Sequence, residues 1–279
     1  MSFVRMFDFF QQLSPAWQAL IAGTFTWLLT AIGASSVFFK KQFSLRSSDM
    51  MMGFAAGVMI AASFWSLLAP AIEILRERDT IPWLGAAVGF LFGAGFIRLF
   101  DRFLPHLHPG KEKLSDAEGP FTEWRRSTLL FSAMTLHNIP EGAAIGVAFG
   151  GTAHAAEVNL DATLAGAIAL TLGIGLQNVP EGLAVAMPLR RQGRTRRRAF
   201  FFGQGSALVE PLAALVGALL VVQIAWILPF ALAFAAGAMM FVAIEELIPE
   251  SQSHGNTDLA TLSTLLGFTV MMMMDVGLG

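Results

Sequence analysis

His137-Asn138-Ile139-Pro140-Glu141-Gly142 recurs forty residues later as Gln177-Asn178-Val179-Pro180-Glu181-Gly182. Both copies lie inside sequence that otherwise reads as membrane-spanning helix. A charged side chain at the bilayer centre costs roughly 2.5–3.5 kcal/mol on insertion scales, so two carboxylates at matched positions demand partners. His137 and Glu141 are four residues apart and share one helical face, with Asn138 on its flank; Gln177, Glu181 and Asn178 repeat the spacing. Pro140 and Pro180 supply no amide hydrogen, which frees the carbonyls of Leu136 and Leu176 and predicts a break in each helix. Freed backbone at membrane depth is tolerated where it is buried in protein or lines a wet cavity. Each segment is therefore expected to turn carboxylate, amide, backbone oxygen and, once, imidazole toward one locus.

The rest of the chain supports a membrane setting. Of 279 residues 55% are hydrophobic and 14% charged, against about 25% charged in soluble domains. A span needs about 20 mostly apolar residues, and eight are predicted: 15–39, 50–75, 81–104, 127–149, 161–188, 199–223, 225–248 and 259–278, a single all-α polytopic domain over 1–279. Pro229 predicts a very tight turn between the sixth and seventh. The first thirteen residues are amphipathic, with Phe3, Phe7, Phe9 and Phe10 beside Arg5 and Asp8. They read as an interfacial lead-in, not as a signal peptide, because no small-residue cleavage site follows a short apolar core.

Fifteen of the eighteen Lys and Arg residues fall in the regions after the first, third and fifth spans. Cytoplasmic loops carry that excess, so both termini are expected outside. The run Arg190 to Arg198 reads as an inside-retention signal beside anionic lipid, not as a nucleic-acid patch. The cytoplasmic loop 105–126 holds His106 and His108, which are either solvated loop residues or a weak metal site. With no cysteine, disulfides and thiolate metal sites are excluded.

Further acids punctuate the spans. Glu210 precedes Pro211 well inside the sixth span, and Glu245-Glu246-Leu247-Ile248-Pro249-Glu250 ends the seventh. Ser63, Ser66 and Glu73 lie in the second, and Asp275 follows four methionines in the last. The methionines are expected to pack or to face lipid, and acids near helix ends are unremarkable at an interface. Imidazole with carboxylate and amide oxygens, and no thiolate, suits Zn²⁺, Cd²⁺, Fe²⁺ or Mn²⁺ and not copper(I). Weak oxygen ligands favour a site that binds and releases, whereas structural zinc sites are closed and usually use Cys and His. An intramembrane metalloenzyme is the rival reading, but His-Glu-x-x-His is absent and neither motif copy has the Glu-x-x-His spacing of di-iron centres. A polar clamp between two helices and a channel-like conductor use the same residues. The glycine-containing runs 85–95 and 203–217 allow close helix packing, within one chain or between two in a homodimer.

The paired motif, with Glu210-Pro211, resembles the ZIP (Zrt-/Irt-like protein) family of divalent-metal transporters, and most closely its GufA-like bacterial branch. That resemblance spans nearly the whole chain. It implies eight helices in a 3+2+3 inverted-repeat arrangement and a midplane site, a recurring transporter design. It implies a main metal site of His137, Glu141, Gln177 and Glu181, and a neighbouring one of Asn138, Glu141, Asn178, Glu181 and Glu210, bridged by Glu141 and Glu181. Some relatives carry Asp where Asn178 stands, so the second ion meets one negative charge fewer. Ser66, Glu73 and Asp275 would lie near the outer entrance and Glu246 on the inner exit side. His106, His108 and His254 would assist release or sensing. The implied activity is not enzymatic: it is uptake of divalent metal, zinc foremost, across the plasma membrane (the bacterial inner membrane) by an elevator-type alternating-access mechanism.

Overall fold

A computed structural model describes residues 3–39, 44–78, 80–103, 126–154, 164–191 and 193–278. His106 and His108 fall outside them. Among the described residues the architecture is all-helical: α1 (Phe3–Gln11), α2 (Pro15–Phe39), α3 (Leu45–Glu77), α4 (Pro82–Phe103), α5 (Arg126–Gly151), α6 (Leu164–Arg191), α7 (Arg196–Gln223), α8 (Ala225–Gln252) and α9 (Thr257–Leu278). Seven of these, α2, α3, α4, α6, α7, α8 and α9, are long and apolar enough to cross a membrane. The chain is thus an all-α polytopic membrane protein. The eighth long helix, α5, lies outside that set although it has 26 residues. It carries His137, Asn138 and Glu141 together with Ser127, Thr128, Ser132 and Thr135.

Local chemistry marks the helix ends. The Ser44 hydroxyl accepts the Ser47 amide at 3.1 Å and starts α3; the Thr195 hydroxyl accepts the Arg198 amide at 3.3 Å and starts α7. Gly193 and Gly255 have φ of 83° and 81°, where a side chain would be strained, and they turn the chain out of α6 and α8. Only Ile224, at φ −135°, separates α7 from α8. Pro229 sits in the first full turn beyond it, where no intrahelical donor is missed.

The helices pack in pairs: α5 with α7, α2 with α6, α3 with α9, and α4 with α8. The first two pairs join through α2 and α7 into one group; α3 and α8 join the other two. Lipid offers no hydrophobic drive between helices, so close backbone approach must hold them. Every pair achieves it reciprocally. A Cβ on Gly33 would strike Val179 O and one on Gly182 would strike Thr30 O; Gly57 faces Thr264 O and Gly267 faces Phe54 O; Gly93 faces Phe234 O and Gly237 faces Phe90 O. Between α5 and α7, Gly142 and Gly146 face Glu210 O and Ala214 O, and Gly217 faces Ala143 O. The glycines that close both motif copies are packing residues.

The expected breaks at Pro140 and Pro180 do not occur: α5 and α6 run through them without interruption. One missing hydrogen bond leaves the flanking turns intact, and buried neighbours on both sides hold the helix. Irregular turns form elsewhere. In α3 the segment Ser63–Leu68 is a π turn in which the Ala69 amide reaches Phe64 O, five residues back, just before Pro70. In α8 the segment Ala243–Leu247 does the same, with Ile248 N–H to Ala243 O just before Pro249. A proline ring crowds the carbonyl four residues earlier, and widening the turn relieves that contact. Such π turns frequently sit at functional sites. This one buries Glu246 and leaves Glu245 exposed.

Candidate functional site

The two motif copies meet in the middle of the molecule. His137, Asn138, Glu141, Gln177, Asn178, Glu181 and Glu210 are all buried, none more than 3% exposed, and Glu246 is 5% exposed. Gln177 donates Nε2 to Glu141 Oε1 at 2.7 Å, tying α6 to α5. Asn178 donates Nδ2 to both Glu210 oxygens at 2.9 Å and to the Thr26 carbonyl at 3.2 Å. The Thr26 hydroxyl donates to Glu210 Oε2 in a short contact. His137 Nε2 lies 2.6 Å from Glu246 Oε1. Glu181 is within electrostatic reach of His137 and Glu246, and Glu141 within reach of Glu181 and Glu210.

Glu210 owes its position to the crossing of three helices. A short 3-10 turn, Ser206–Leu208, precedes it in α7. Gly23 of α2 and Gly142 of α5 both lie against its backbone. No larger residue at either position would let the helices approach so closely, and the carboxylate would then miss Thr26 and Asn178.

Among the described residues of the two motif copies, five buried oxygens have no hydrogen-bond partner: Asn138 Oδ1, Glu141 Oε2, Gln177 Oε1, Asn178 Oδ1 and Glu181 Oε2. All are acceptors. Each such orphan costs about 1–3 kcal/mol, and a shared cation satisfies several at once. In this conformation no group of three or more His, Asp or Glu side chains among the described residues is arranged to hold a metal ion. The reason is visible in the contacts: His137 is turned to Glu246, Glu141 to Gln177, and Glu210 to Thr26 and Asn178.

The remaining sequence candidates sit apart. Ser66 donates to Asp275 Oδ1 at 2.6 Å, joining α3 to α9. Glu73 is exposed. His254 Nδ1 meets Asp49 Oδ1 at 2.8 Å, and Asn256 donates to Asp49 Oδ2 at 2.8 Å. Met271 packs on Gly173 and Met273 is 65% exposed. Thr26 and Asp49 escape sequence reasoning. A threonine in an apolar helix ordinarily bonds its own backbone, and an acid in the first turns of a helix is common.

Fold and site together define a polytopic membrane protein with a buried centre of carboxylates, amides and one imidazole. The ZIP Zinc transporter family model matches residues 115–275. Zinc transporter ZIP11 of Homo sapiens is 40% identical over 95% of this chain and 98% of its own length. Zinc transporter GufA of Myxococcus xanthus is 37% identical over 94% and 97%, and zinc transporter ZupT of Corynebacterium aurimucosum 31% over 88% and 91%. The chain belongs to the ZIP zinc-transporter family, and is accordingly a membrane transporter of divalent metal ions and not an enzyme. Identity to the human protein is no lower than to GufA, so the comparisons single out no GufA-like bacterial branch.

Proposed function

We propose that the chain carries Zn²⁺ toward the cytoplasm by alternating access, with Cd²⁺, Fe²⁺ and Mn²⁺ as competing cargoes. The observation that carries this reading is the cluster of orphaned acceptor oxygens beside His137, buried where the two motif copies meet. A dehydrated divalent cation is the ligand that such oxygens lack, and the donor set suits borderline to hard ions. His137, Glu141, Gln177 and Glu181 bind the transported ion. Asn138, Asn178 and Glu210, with the same two carboxylates bridging, form a weaker second position.

The packing supports a 3+2+3 inverted repeat of eight spans that includes α5. Exchanging α2 with α7, α3 with α8, α4 with α9 and α5 with α6 turns the α5–α7 pair into α6–α2 and the α3–α9 pair into α8–α4. It also carries the π turn of α3 onto that of α8. The group α2, α5, α6, α7 holds the motif copies and Glu210, which suits an elevator moving against α3, α4, α8, α9. The charge distribution in the loops favours both termini outside the plasma membrane.

Uptake of radioactive Zn²⁺ into proteoliposomes tests the reading. Saturable uptake by the wild type, lost in His137→Ala and in Glu181→Ala, is the expected result. Equal uptake by all three would refute it.

A further inference from the structure

Most of the polar contacts at the centre stay within one helix group. Gln177 to Glu141, Asn178 to Glu210 and Thr26 to Glu210 all join members of the group α2, α5, α6, α7. His137 and Glu246 do not. Their contact runs from α5 in that group to α8 in the other, at 2.6 Å, with both side chains 3% exposed. Glu246 follows Leu232, Met239, Val242 and Ala243 on the buried face of α8. It lies in the π turn before Pro249, and its neighbour Glu245 stays outside.

We propose that Glu246 is a latch: it holds the imidazole of His137 across the seam between the two helix groups, and an arriving metal ion must displace it. The proposal rests on His137 being a ligand of the transported ion. A ring nitrogen serves one partner at a time. While Glu246 Oε1 occupies Nε2, that nitrogen is closed to the ion and α5 is tied to α8. Once the ion takes Nε2, with Glu181 of the same group within electrostatic reach, the tie across the seam is lost. Ion binding and freedom of one group to move past the other are thereby coupled through His137 Nε2. A carboxylate can compete in this way because its own burial leaves it dependent on a polar partner.

This role makes a prediction opposite in sign to that of a residue that helps to bind the ion. Removing a competitor raises apparent affinity, because the binding-competent fraction rises; removing a ligand lowers it. Equilibrium Zn²⁺ binding to the purified full chain, followed by competition with a chromophoric chelator, separates the two. Glu246→Gln is expected to bind Zn²⁺ at least about fivefold more tightly than the wild type, the lower end of ordinary coupling between sites. Unchanged or weaker binding overturns the latch. His137→Ala must bind more weakly than the wild type; if it binds equally well, the assignment of the ion site fails and the latch with it. Weakened binding in His137→Ala without a gain in Glu246→Gln removes the latch alone.

Distances give a second readout that does not depend on metal affinity. The chain has no cysteine, so spin labels are introduced by Val216→Cys in α7 and Leu91→Cys in α4, both exposed and in different groups. Without Zn²⁺, Glu246→Gln should shift the distance distribution toward the one that the wild type adopts only with Zn²⁺. Identical metal-free distributions in wild type and Glu246→Gln overturn the proposal.

Discussion

At the scale of single residues, Glu210 shows how a buried carboxylate is kept in an apolar helix. It accepts from Asn178 through both oxygens and from Thr26 through one. Thr26→Val keeps the shape and deletes the hydroxyl donor, and it should destabilise the protein by about 1.5–3 kcal/mol, the worth of a hydrogen bond to a charged group. A lowered melting temperature in detergent, read by loss of the monodisperse peak, checks this. Asn178→Asp replaces the donor by a second carboxylate facing Glu210. Repulsion between them is relieved by a cation, so more Zn²⁺ should bind per chain in calorimetric titration than in the wild type; unchanged stoichiometry contradicts a second ion position there. The sequence exposes the acids and amides because charge in an apolar run is conspicuous. Thr26 is invisible at that level, since its partner is 184 residues away and hydroxyls in membrane helices are ordinary.

At the scale of elements, glycine and proline decide what the hydrophobic pattern leaves open. Gly57 lies against the backbone of Thr264, and a Cβ there has nowhere to go; around Gly95 nothing stands within 4 Å. Gly57→Ala should therefore lower the yield of folded protein and its melting temperature sharply, while Gly95→Ala leaves both unchanged or improves them slightly, as alanine is the better helix former by about 1 kcal/mol. Motif prolines invite the expectation of broken helices, yet the irregular turns lie in front of Pro70 and Pro249 instead. The difference is context: Pro140 and Pro180 sit in helices clamped on both sides, with His137, Glu141, Gln177 and Glu181 all buried.

At the scale of the molecule, two helix groups meet along a seam formed chiefly by α3 with α6 and α5 with α8. Gly173 of α6 touches Met271 of α9 across it. If one group slides past the other during transport, a bridge between Gly173→Cys and Met271→Cys should stop Zn²⁺ uptake under oxidation and release it on reduction. Uptake indifferent to the bridge would rule out movement along this seam.

The sequence by itself determined the membrane class and the doubled motif, and seven of the eight spans read from it coincide with long apolar helices, because the cost of placing charge in lipid is a property of local composition. Membership of the transporter family was likewise legible in His137-Asn138-Ile139-Pro140-Glu141-Gly142 and its second copy. Only the tertiary structure decided that Glu246 meets His137, that Thr26 and Asn178 fill the fork of Glu210, and that Glu73 faces outward. Those pairings join residues far apart in the chain. They depend on where glycines let two backbones touch and on which helices then face each other, and the hydrophobic period specifies neither.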